Sequence, residues 1–264
     1  MVQTRYEFAR ALVLDAGQWL SDEISNFSEI PAIDKTSHQD IVTKYDTAVE
    51  ELVTDKIRTA YPDDLVVGEE SFNGDQPDSP NVWYLDPIDG TTNFACQKRN
   101  YAISLAFYKN GSPEFGIVLD IAQNNLYHAC VGAGAFLNDQ KIFSRKIQTE
   151  IQNCIVSSPM VIQTFLHLHK KQKSLAALAE DVRAVRSLGC VALELCSLAE
   201  GILDIFITVN SYPWDHNAAR IILSEAGGVL LDFEGRPVSA QYAGSIIACG
   251  SMEVMNTVVN NYLK

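Results

Sequence analysis

The acidic turn at residues 86–93 carries the clearest chemical signal in the sequence, because it places two carboxylates three residues apart. Asp86 and Asp89 follow an apolar segment, and a carboxylate is not buried unless positive charge compensates it. Pro87 presets its own φ and removes one backbone donor, so the chain turns sharply between the two carboxylates. The turn can aim both of them, and the carbonyl oxygen of Ile88, at one point. Ligands made only of oxygen suit a hard cation such as Mg²⁺ or Mn²⁺.

The Gly-Thr-Thr sequence that follows this turn is suited to binding an anion. The backbone amides of Gly90, Thr91 and Thr92 are predicted to begin a helix. A helix N-terminus presents free N–H groups to negatively charged ligands. A cation site next to an anion site is the arrangement that phosphate chemistry needs.

Two more acidic segments could complete such a site. Glu69 and Glu70 end an apolar strand predicted over residues 65–71, and Asp215 precedes an apolar helix predicted over residues 218–226. Each of the three acidic segments has an ordinary explanation when taken alone: a simple turn, a solvated strand end, or an N-cap aspartate. The occurrence of all three in one chain favours a functional site over these explanations.

The sequence resembles the inositol monophosphatase family over essentially its whole length. That family carries the motifs G-E-E, D-P-(I/L)-D-G-T-x-N and W-D-x-A-(A/G) in this order, with K…D-x-V-T-x-x-D near the N-terminus. The matching segments here are residues 68–70, 86–93, 214–219 and 35–46. The third motif departs from the pattern, because His216-Asn217 stands where a small or apolar pair is usual.

The resemblance implies an α+β fold, a layered αβαβα sandwich of two sheets with helices between and outside them. A change in composition near residues 143–151 predicts two halves, residues 1–145 with most metal ligands and residues 146–264 with Asp215 and substrate contacts. Periodicity predicts a first set of elements: helices over 7–27 and 47–61, and a strand meander over 103–108, 114–120 and 125–131. It predicts a second set after the division: strands over 154–158, 182–186 and 202–208, helices over 161–173, 175–181 and 191–199, and a strand–helix pair within 245–263.

The resemblance also implies a role for each acidic residue. One Mg²⁺ would be held by Glu69, Asp86 and the carbonyl oxygen of Ile88, and a second by Asp86, Asp89 and Asp215. A third, weaker ion is implied near Glu69, and Mn²⁺ could replace Mg²⁺. The family positions and deprotonates an attacking water with the residues that match Glu69 and Thr91, and Asp46 would hydrogen-bond to Thr91. No phosphoenzyme is expected, because water attacks the phosphate directly.

The alcohol portion of the substrate is less well specified. The substrate contacts implied by the family are Glu69, Ile88, Asp89, Gly90, Thr91, Gly189, Cys190, Val191, Thr208 and Asp215. Inositol phosphatases carry a glutamate where this chain has Thr208, and a lost charged hydrogen bond is worth roughly 1.5–3 kcal/mol. From the family resemblance, inositol 1-phosphate nevertheless remains the default substrate, with NADP(H), 3′-phosphoadenosine compounds and fructose 1,6-bisphosphate as alternatives. A regulatory binding protein with a vestigial site is a further alternative, and the intact set of acids argues against it.

Composition limits the partners. The chain has 264 residues, 47% of them hydrophobic, and a formal net charge of −13, which argues against nucleic acid or an anionic membrane as the main partner. No apolar run approaches the ~20 residues of a membrane span, and no signal peptide is evident. The six cysteines form no CxxC pair, which is typical of free thiols in a reducing cytoplasm. The family resemblance adds two expectations, a homodimer and inhibition by lithium.

Overall fold

The computed structural model describes residues 2–25, 29–37, 40–74, 79–144, 150–158 and 175–263. These residues form a seven-stranded sheet, a five-stranded sheet and a two-stranded hairpin. The chain opens with helix α1 (Val2–Ile24), the hairpin of β1 (Ala32–Ser37) and β2 (Asp40–Thr43), and helix α2 (Lys44–Ala60).

The strands of the seven-stranded sheet follow one another in chain order. Only β3 runs parallel to its neighbour β4, and all later pairs are antiparallel. The turn between β5 and β6 has positive φ at Asn110 and Gly111, as a two-residue hairpin turn requires. The strands are β3 (Leu65–Gly68), β4 (Asn81–Asp89), β5 (Ala102–Lys109), β6 (Ser112–Asp120), β7 (Asn125–Cys130), β8 (Gly134–Leu137) and β9 (Gln140–Ile142), with helix α3 (Thr91–Gln97) after β4.

The second sheet mixes parallel and antiparallel neighbours in the order β11-β10-β12-β14-β13. Strand β10 is parallel to β11 and β12, whereas β14 is antiparallel to β12 and β13. Its strands are β10 (Ile155–Ser157), β11 (Ala184–Arg186), β12 (Ile205–Thr208), β13 (Val229–Asp232) and β14 (Ile246–Cys249). The helices around it are α4 (Leu175–Asp181), α5 (Val191–Ala199), α6 (Pro213–Glu225) and α7 (Met252–Val258).

Three buried clusters show how the layers stack. The first joins α1 and α2 to one face of the seven-stranded sheet, through residues such as Val53 and Trp83. The second holds α5 and α6 between the two sheets, where Tyr84 and Phe206 contribute from opposite sides. The third packs α4 and α7 on the outer face of the five-stranded sheet. The layers therefore run helix, sheet, helix, sheet, helix, and the predicted αβαβα sandwich is confirmed.

Most predicted elements are present, with shifted ends. Helix α2 begins at Lys44 instead of residue 47, because the Thr43 hydroxyl accepts the amide of Tyr45 and Asp46 closes the capping box. Strands β8, β9 and β13 were not predicted. The predicted helix over 161–173 lies outside the described residues. Among the helices that are described, none is long and apolar enough to cross a membrane.

Candidate active site

Strand β4 delivers the first two carboxylates. Its pairing with β5 is regular up to Asp86 and shifts register before Asp89, which is a β-bulge at the position of Pro87. The amide of Ile88 donates to Asp86 Oδ1 at 3.0 Å and so holds the turn closed. Asp86 is only 2% exposed although it is a carboxylate. The predicted sharp turn between two acids is therefore present at the end of a buried strand.

Asp89 lies against the first turn of α5. The amide of Val191 donates to its Oδ1 at 3.2 Å, and the amide of Ala192 donates to its Oδ2 at 2.5 Å. The Cys190 thiol also donates a hydrogen bond to this carboxylate. A helix N-terminus favours a negative charge, so α5 stabilises ionised Asp89 and ties the two sheets together at the site.

Asp215 lies inside the first turn of α6, two residues after the helix begins. The ordinary explanation of Asp215 as an N-cap does not apply, because Tyr212 is the N-cap and Pro213 takes the first helical position, where proline is favoured. The amide of Tyr212 donates to Asp215 Oδ2 at 2.8 Å. The carboxylate is thereby fixed to the helix N-terminus that carries it.

Glu69 follows β3 and meets the only cation that lines this cleft in the described chain. Lys35, on β1, donates to Glu69 Oε1 at 3.0 Å and to Glu70 Oε1 at 2.5 Å. Although burial lowers the pKa of Lys35, the two carboxylates leave it raised above its ordinary value. The backbone after Glu69 is held by Glu50, whose side chain accepts the amides of Glu70 and Ser71.

The four acids, of which Asp86 and Asp89 are buried and Glu69 and Asp215 half-buried, lie close enough to perturb the pKa values within the group. Burial raises the pKa of Glu69 to about 7, and Lys35 opposes the rise. Burial raises the pKa of Asp89 to about 6, against the hydrogen bonds from α5. Burial also raises the pKa values of Asp86 and Asp215 well above the ordinary range, and the charges of neighbouring acids raise both further. Such a group of carboxylates is stabilised by added positive charge.

Thr91 connects the acidic group to Asp46 of α2. Its hydroxyl lies 3.0 Å from Asp46 Oδ1 and 3.1 Å from the carbonyl oxygen of Ile88. The amide and hydroxyl of Thr43 both donate to Asp46 Oδ2, at 2.8 and 2.6 Å. Asp46 is therefore surrounded by donors and acts as a hydrogen-bond acceptor for Thr91, in agreement with the predicted contact.

The turn at Gly90 presents amides next to the acids. The first helical hydrogen bond of α3 runs from Phe94 to the carbonyl of Gly90, so the amides of Thr91 and Thr92 have no partner within the helix. Gly90 has φ 89°, and an added Cβ would lie 2.9 Å from the Asn100 carbonyl oxygen. Only glycine fits this position without strain. The amides that could hold an anion therefore follow a turn that requires glycine.

These groups line one cleft of about 800 Å³. Of the predicted site residues, it is lined by Glu69, Asp86, Ile88, Asp89, Gly90, Thr91, Gly189, Val191 and Asp215. Three predicted residues are not part of its lining. Asp46 contacts the site through Thr91, and Cys190 is buried behind Asp89. Thr208 is fully buried, and its hydroxyl donates to the Asn210 carbonyl at 3.0 Å, so the prediction that it contacts substrate is not supported by its position.

The donor set of the cleft fits a hard divalent cation. Four carboxylates and the Ile88 carbonyl line it, and all are oxygen ligands, which Mg²⁺ prefers. Within the described part of the chain, no three acidic, histidine or cysteine side chains already form a closed metal cage. Three of the acids instead accept hydrogen bonds from other groups: Glu69 from Lys35, Asp89 from the amides of α5 and Asp215 from the Tyr212 amide.

Sequence reasoning did not assign the aromatic side of the cleft. Phe72, Tyr212 and Trp214 line it together with the acids. Trp214 stacks on Tyr212 and contacts Phe72. No local sequence pattern links Phe72 to residues 140 positions later in the chain.

Comparison with known proteins agrees with the site. The sequence profile of the inositol monophosphatase family matches residues 1–263. The inositol-1-monophosphatase of Bacillus subtilis is 34% identical over 261 residues, which cover 97% of this chain and 96% of that protein. A fructose-1,6-bisphosphatase/inositol-1-monophosphatase of Thermotoga maritima is 33% identical, with 85% of this chain and 86% of that protein covered. The crystal structure of staphylococcal SaIMPase-II with inositol monophosphate bound superposes with a TM-score of 0.83 at 29% identity, covering 98% and 93% of the two chains.

The protein is an αβαβα sandwich whose acidic cleft lies beside the turn at Gly90, and together with the family match this identifies it as a phosphomonoester hydrolase. The chain belongs to the inositol monophosphatase family, whose profile it matches from end to end.

Proposed function

We propose that this protein hydrolyses inositol 1-phosphate to inositol and phosphate in a reaction that depends on Mg²⁺. The observation that carries the proposal is that four acids, Asp86 and Asp89 buried and Glu69 and Asp215 half-buried, line the same cleft as the amides after Gly90. The choice of alcohol is supported by the inositol-1-monophosphatase of Bacillus subtilis, which is 34% identical over nearly the whole length of both chains.

The acidic residues would hold the ions. Glu69, Asp86 and the Ile88 carbonyl are assigned to one ion, and Asp86, Asp89 and Asp215 to a second, with a weaker third near Glu69. Mn²⁺ has the same preference for oxygen and would substitute for Mg²⁺. When bound, the ions supply positive charge that offsets the charge of the phosphoryl group and acidifies water.

Thr91 and Glu69 are assigned to the attacking water. Because Asp46 accepts the Thr91 hydroxyl proton, the lone pairs of the Thr91 oxygen are free to accept a hydrogen bond from water. Glu69 lines the cleft together with Thr91, and its carboxylate can accept a proton from that water. The amides of Gly90 and Thr91 would hold phosphate oxygens, while Gly189 and Val191 border the alcohol.

Other phosphomonoesters of the same family are the second candidates. Thr208 is buried and offers no carboxylate to the hydroxyls of a polyol. NADP(H), 3′-phosphoadenosine compounds and fructose 1,6-bisphosphate therefore belong in the test beside inositol 1-phosphate. A regulatory binding protein would tolerate loss of a metal ligand, and here all four acids are present.

The test is phosphate release from these four esters at millimolar Mg²⁺, before and after EDTA and after Mg²⁺ is restored. Release that EDTA stops and Mg²⁺ restores is expected, with inositol 1-phosphate cleaved most efficiently. Asp215→Asn should abolish it, whereas Asp232→Asn, a buried aspartate paired with Arg236 away from the cleft, should retain it. If another ester is cleaved most efficiently, that ester is the substrate instead of inositol 1-phosphate. If phosphate is released from none of the four esters, the proposal of an enzyme is contradicted and a regulatory binding protein is favoured.

We also propose the remaining family properties for this chain. A homodimer is tested by sedimentation, and inhibition by lithium by titrating Li⁺ at fixed Mg²⁺. A cytoplasmic location agrees with six cysteines that are all free thiols.

A further inference from the structure

A second pocket, of about 580 Å³, lies between strands β4 and β5, helix α6 and the segment that follows β13. Among the residues that the structure describes, it shares none of its lining with the acidic cleft, although α6 contributes Asp215 to the cleft and Arg220 to this pocket. Its volume is within the usual range for small-molecule sites. The pocket is called the Arg220 pocket below, and its lining includes Val82, Tyr84, Tyr108, Asn110, Arg220 and Ala240.

Asn217 holds two walls of the Arg220 pocket in place. Its side-chain oxygen accepts the Tyr108 hydroxyl at 3.0 Å, and its side-chain amide donates to the Ala240 carbonyl at 2.7 Å. Asn217 is fully buried and belongs to the residue pair that departs from the family motif. Tyr84 packs edge-on against Tyr108, with ring centroids 5.5 Å apart at 88°. The walls are therefore ordered before a ligand arrives, which lowers the entropy cost of binding.

The hydroxyl of Tyr84 is available to a ligand in this pocket. Tyr84 is only 4% exposed, yet its hydroxyl forms no hydrogen bond within the described part of the chain. Burial raises the pKa of Tyr84 to about 12, so the hydroxyl keeps its proton at neutral pH. Polar groups that are this buried normally have a partner, because leaving them without one costs free energy. An acceptor on a ligand would supply the missing bond.

Arg220 brings positive charge to the pocket and is only partly used by the protein. Its Nη1 atom donates to the carbonyls of Val238 and Ser239, at 3.0 and 3.4 Å, which fixes the guanidinium to the segment after β13. Over the ranges that the structure describes, Nε and Nη2 form no hydrogen bond and no carboxylate pairs with Arg220. These two nitrogen atoms lie side by side on the guanidinium, and such a pair can bind a carboxylate through two parallel hydrogen bonds.

The charge of the pocket favours a ligand with a single negative charge. Arg220 is the one charged side chain among the described residues that line it. No acid in that lining repels an anion, although the chain as a whole carries a net charge of −13. One guanidinium balances one carboxylate, whereas a phosphate dianion would leave a charge uncompensated beside Val82 and the tyrosine rings. The same apolar surface suits the body of an organic ligand.

We propose that the Arg220 pocket is a second small-molecule site, which binds an organic monocarboxylate with an aromatic body. The carboxylate pairs with Nε and Nη2 of Arg220. The body packs on the rings of Tyr84 and Tyr108, and a polar substituent of the ligand accepts the Tyr84 hydroxyl. Binding is non-covalent and does not depend on the phosphatase activity, because the pocket and the acidic cleft have separate linings.

The test is an NMR titration of the full chain with 4-hydroxybenzoate and with 4-hydroxybenzamide, which has the same body without the charge. The protein is treated with EDTA, because the four acids of the metal-free cleft then repel a carboxylate there. A hydrogen bond to a charged group changes affinity by about 10- to 150-fold, so the acid should bind more tightly than the amide by that factor. Backbone signals of residues 108–111 and 238–241 should shift, whereas those of residues 89–92 in the cleft should not.

Variants of Arg220 separate its charge from its geometry. Arg220→Gln should remove the preference for the acid, and Arg220→Lys should keep only part of it, because lysine has the charge without the paired donors. Arg183→Gln is the matched control, since Arg183 is an exposed arginine outside the pocket that bonds to Asn153. Its affinity for 4-hydroxybenzoate should equal that of the unmodified protein.

Tyr84→Phe gives a second test that does not depend on the folding of an Arg220 variant. It removes only a hydroxyl without a described partner and keeps the ring, so the fold should persist, while affinity for 4-hydroxybenzoate should fall by about 2- to 12-fold. Circular dichroism and Tm show that each variant is folded. Equal affinities for the acid and the amide, binding that survives in Arg220→Gln, or unchanged affinity in Tyr84→Phe would overturn the inference.

Discussion

Each acid of the cleft is more costly to ionise than it would be in water, and this cost is the physical basis of the proposed cation binding. Four carboxylates line the cleft with Lys35 as its one cation among the described residues. Burial raises the pKa values of Asp89 and Glu69. Burial also raises the pKa values of Asp86 and Asp215, and the charges of neighbouring acids raise these two further. Folding and metal binding are therefore linked through the same side chains.

The metal-free protein should lose stability as the pH rises from about 4 to about 7. Asp89 has a pKa of about 6 in the folded protein and ~3.9 in the unfolded chain, so the unfolded chain releases this proton first. The folded state then binds more protons than the unfolded state, and the free energy of unfolding falls with pH. Glu69, with a pKa of about 7, extends the fall. The contribution of Asp89 is on the order of 3 kcal/mol.

Urea unfolding of EDTA-treated protein between pH 4 and pH 8 measures this slope. Saturating Mg²⁺ should remove most of the fall, because the ions stabilise the ionised acids and bind only the folded state. A free energy of unfolding that is constant or rises across this range without Mg²⁺ would show that the acids do not repel one another as described.

Asp86→Asn should stabilise the metal-free protein at pH 8. Burial and the neighbouring acids raise the pKa of Asp86, and its one hydrogen bond, from the Ile88 amide, can be accepted equally by an asparagine oxygen. Asp232→Asn is the control. Asp232 is as buried as Asp86, but it forms an ion pair with Arg236 at 2.7 Å, so the loss of its charge should lower Tm. Thermal melts in EDTA should show opposite signs, and added Mg²⁺ should raise Tm more in the unmodified protein than in Asp86→Asn.

At the residue scale, the sequence predicts the acids and not their surroundings. Asp86, Asp89 and Asp215 stand in motifs whose spacing is local, so they can be found without coordinates. The Cys190 thiol on Asp89 and the pairing of Thr208 in β12 with Ile246 in β14 depend on contacts between distant segments. No periodic pattern encodes such contacts.

Helix α6 carries Asp215, and its position is set by close contact with β6. A Cβ on Gly116 of β6 would overlap the backbone carbonyl of Ala218 in α6, and would lie 2.9 Å from Ala218 Cα. The helix can approach the sheet this closely only because residue 116 has no side chain. The distance between α6 and the sheet thus determines where Asp215 enters the cleft.

Gly116→Ala should lower the free energy of unfolding by about 1–3 kcal/mol, equal to roughly 2–12 °C in Tm, because backbone cannot rotate away from the added methyl group. It should also reduce kcat, since α6 must shift outward together with Asp215. Gly17→Ala is the matched control. Its Cβ would overlap only the side chain of Leu119, which can rotate, and alanine favours helix α1. Equal effects of the two variants on Tm and kcat would contradict this account of α6.

The elements that sequence patterns predict well are those with long or strongly periodic signals. Helix α5 was predicted with the bounds that it has, Val191–Ala199, and the meander of β5, β6 and β7 was found within two residues. Short strands carry weak signals: β8, β9 and β13 were missed, and β10, β11 and β12, which also have three or four residues each, were predicted too long. Helix α6 begins five residues earlier than predicted, because Pro213 fits its first turn.

The order of strands in the five-stranded sheet could not be read from the sequence. Strand β14 lies between β12 and β13, so the last strand of the chain is inserted next to earlier ones. The position of β14 depends on which faces of the five-stranded sheet α5, α6 and α7 must cover when the whole chain folds. The overall layering came from family resemblance, and the register of each pair came from the structure.

The largest core of the molecule belongs to both predicted halves. Helices α5 and α6, from residues 146–264, cover the inner face of the seven-stranded sheet, where Tyr84, Ala106 and Tyr108 are buried. Asp89 is bonded to α5, and Asn93 donates to the Leu188 carbonyl at 2.6 Å, which are two further ties across the division. The division at residue 145 stays a prediction about chain organisation, and the shared core indicates that the halves depend on each other.

We therefore expect the chain to unfold in one cooperative transition and the fragment of residues 1–145 not to fold alone. The fragment would expose the inner face of its sheet, including Tyr84, Ala106, Tyr108 and Val118, and a large exposed apolar surface causes association. Calorimetry of the full chain in EDTA should show a single peak whose calorimetric and van't Hoff enthalpies agree. The separate fragment should lack dispersed NMR signals or aggregate. Two resolved peaks, or a soluble fragment with native-like dispersion, would show instead that residues 1–145 form an independent domain on which α5 and α6 dock.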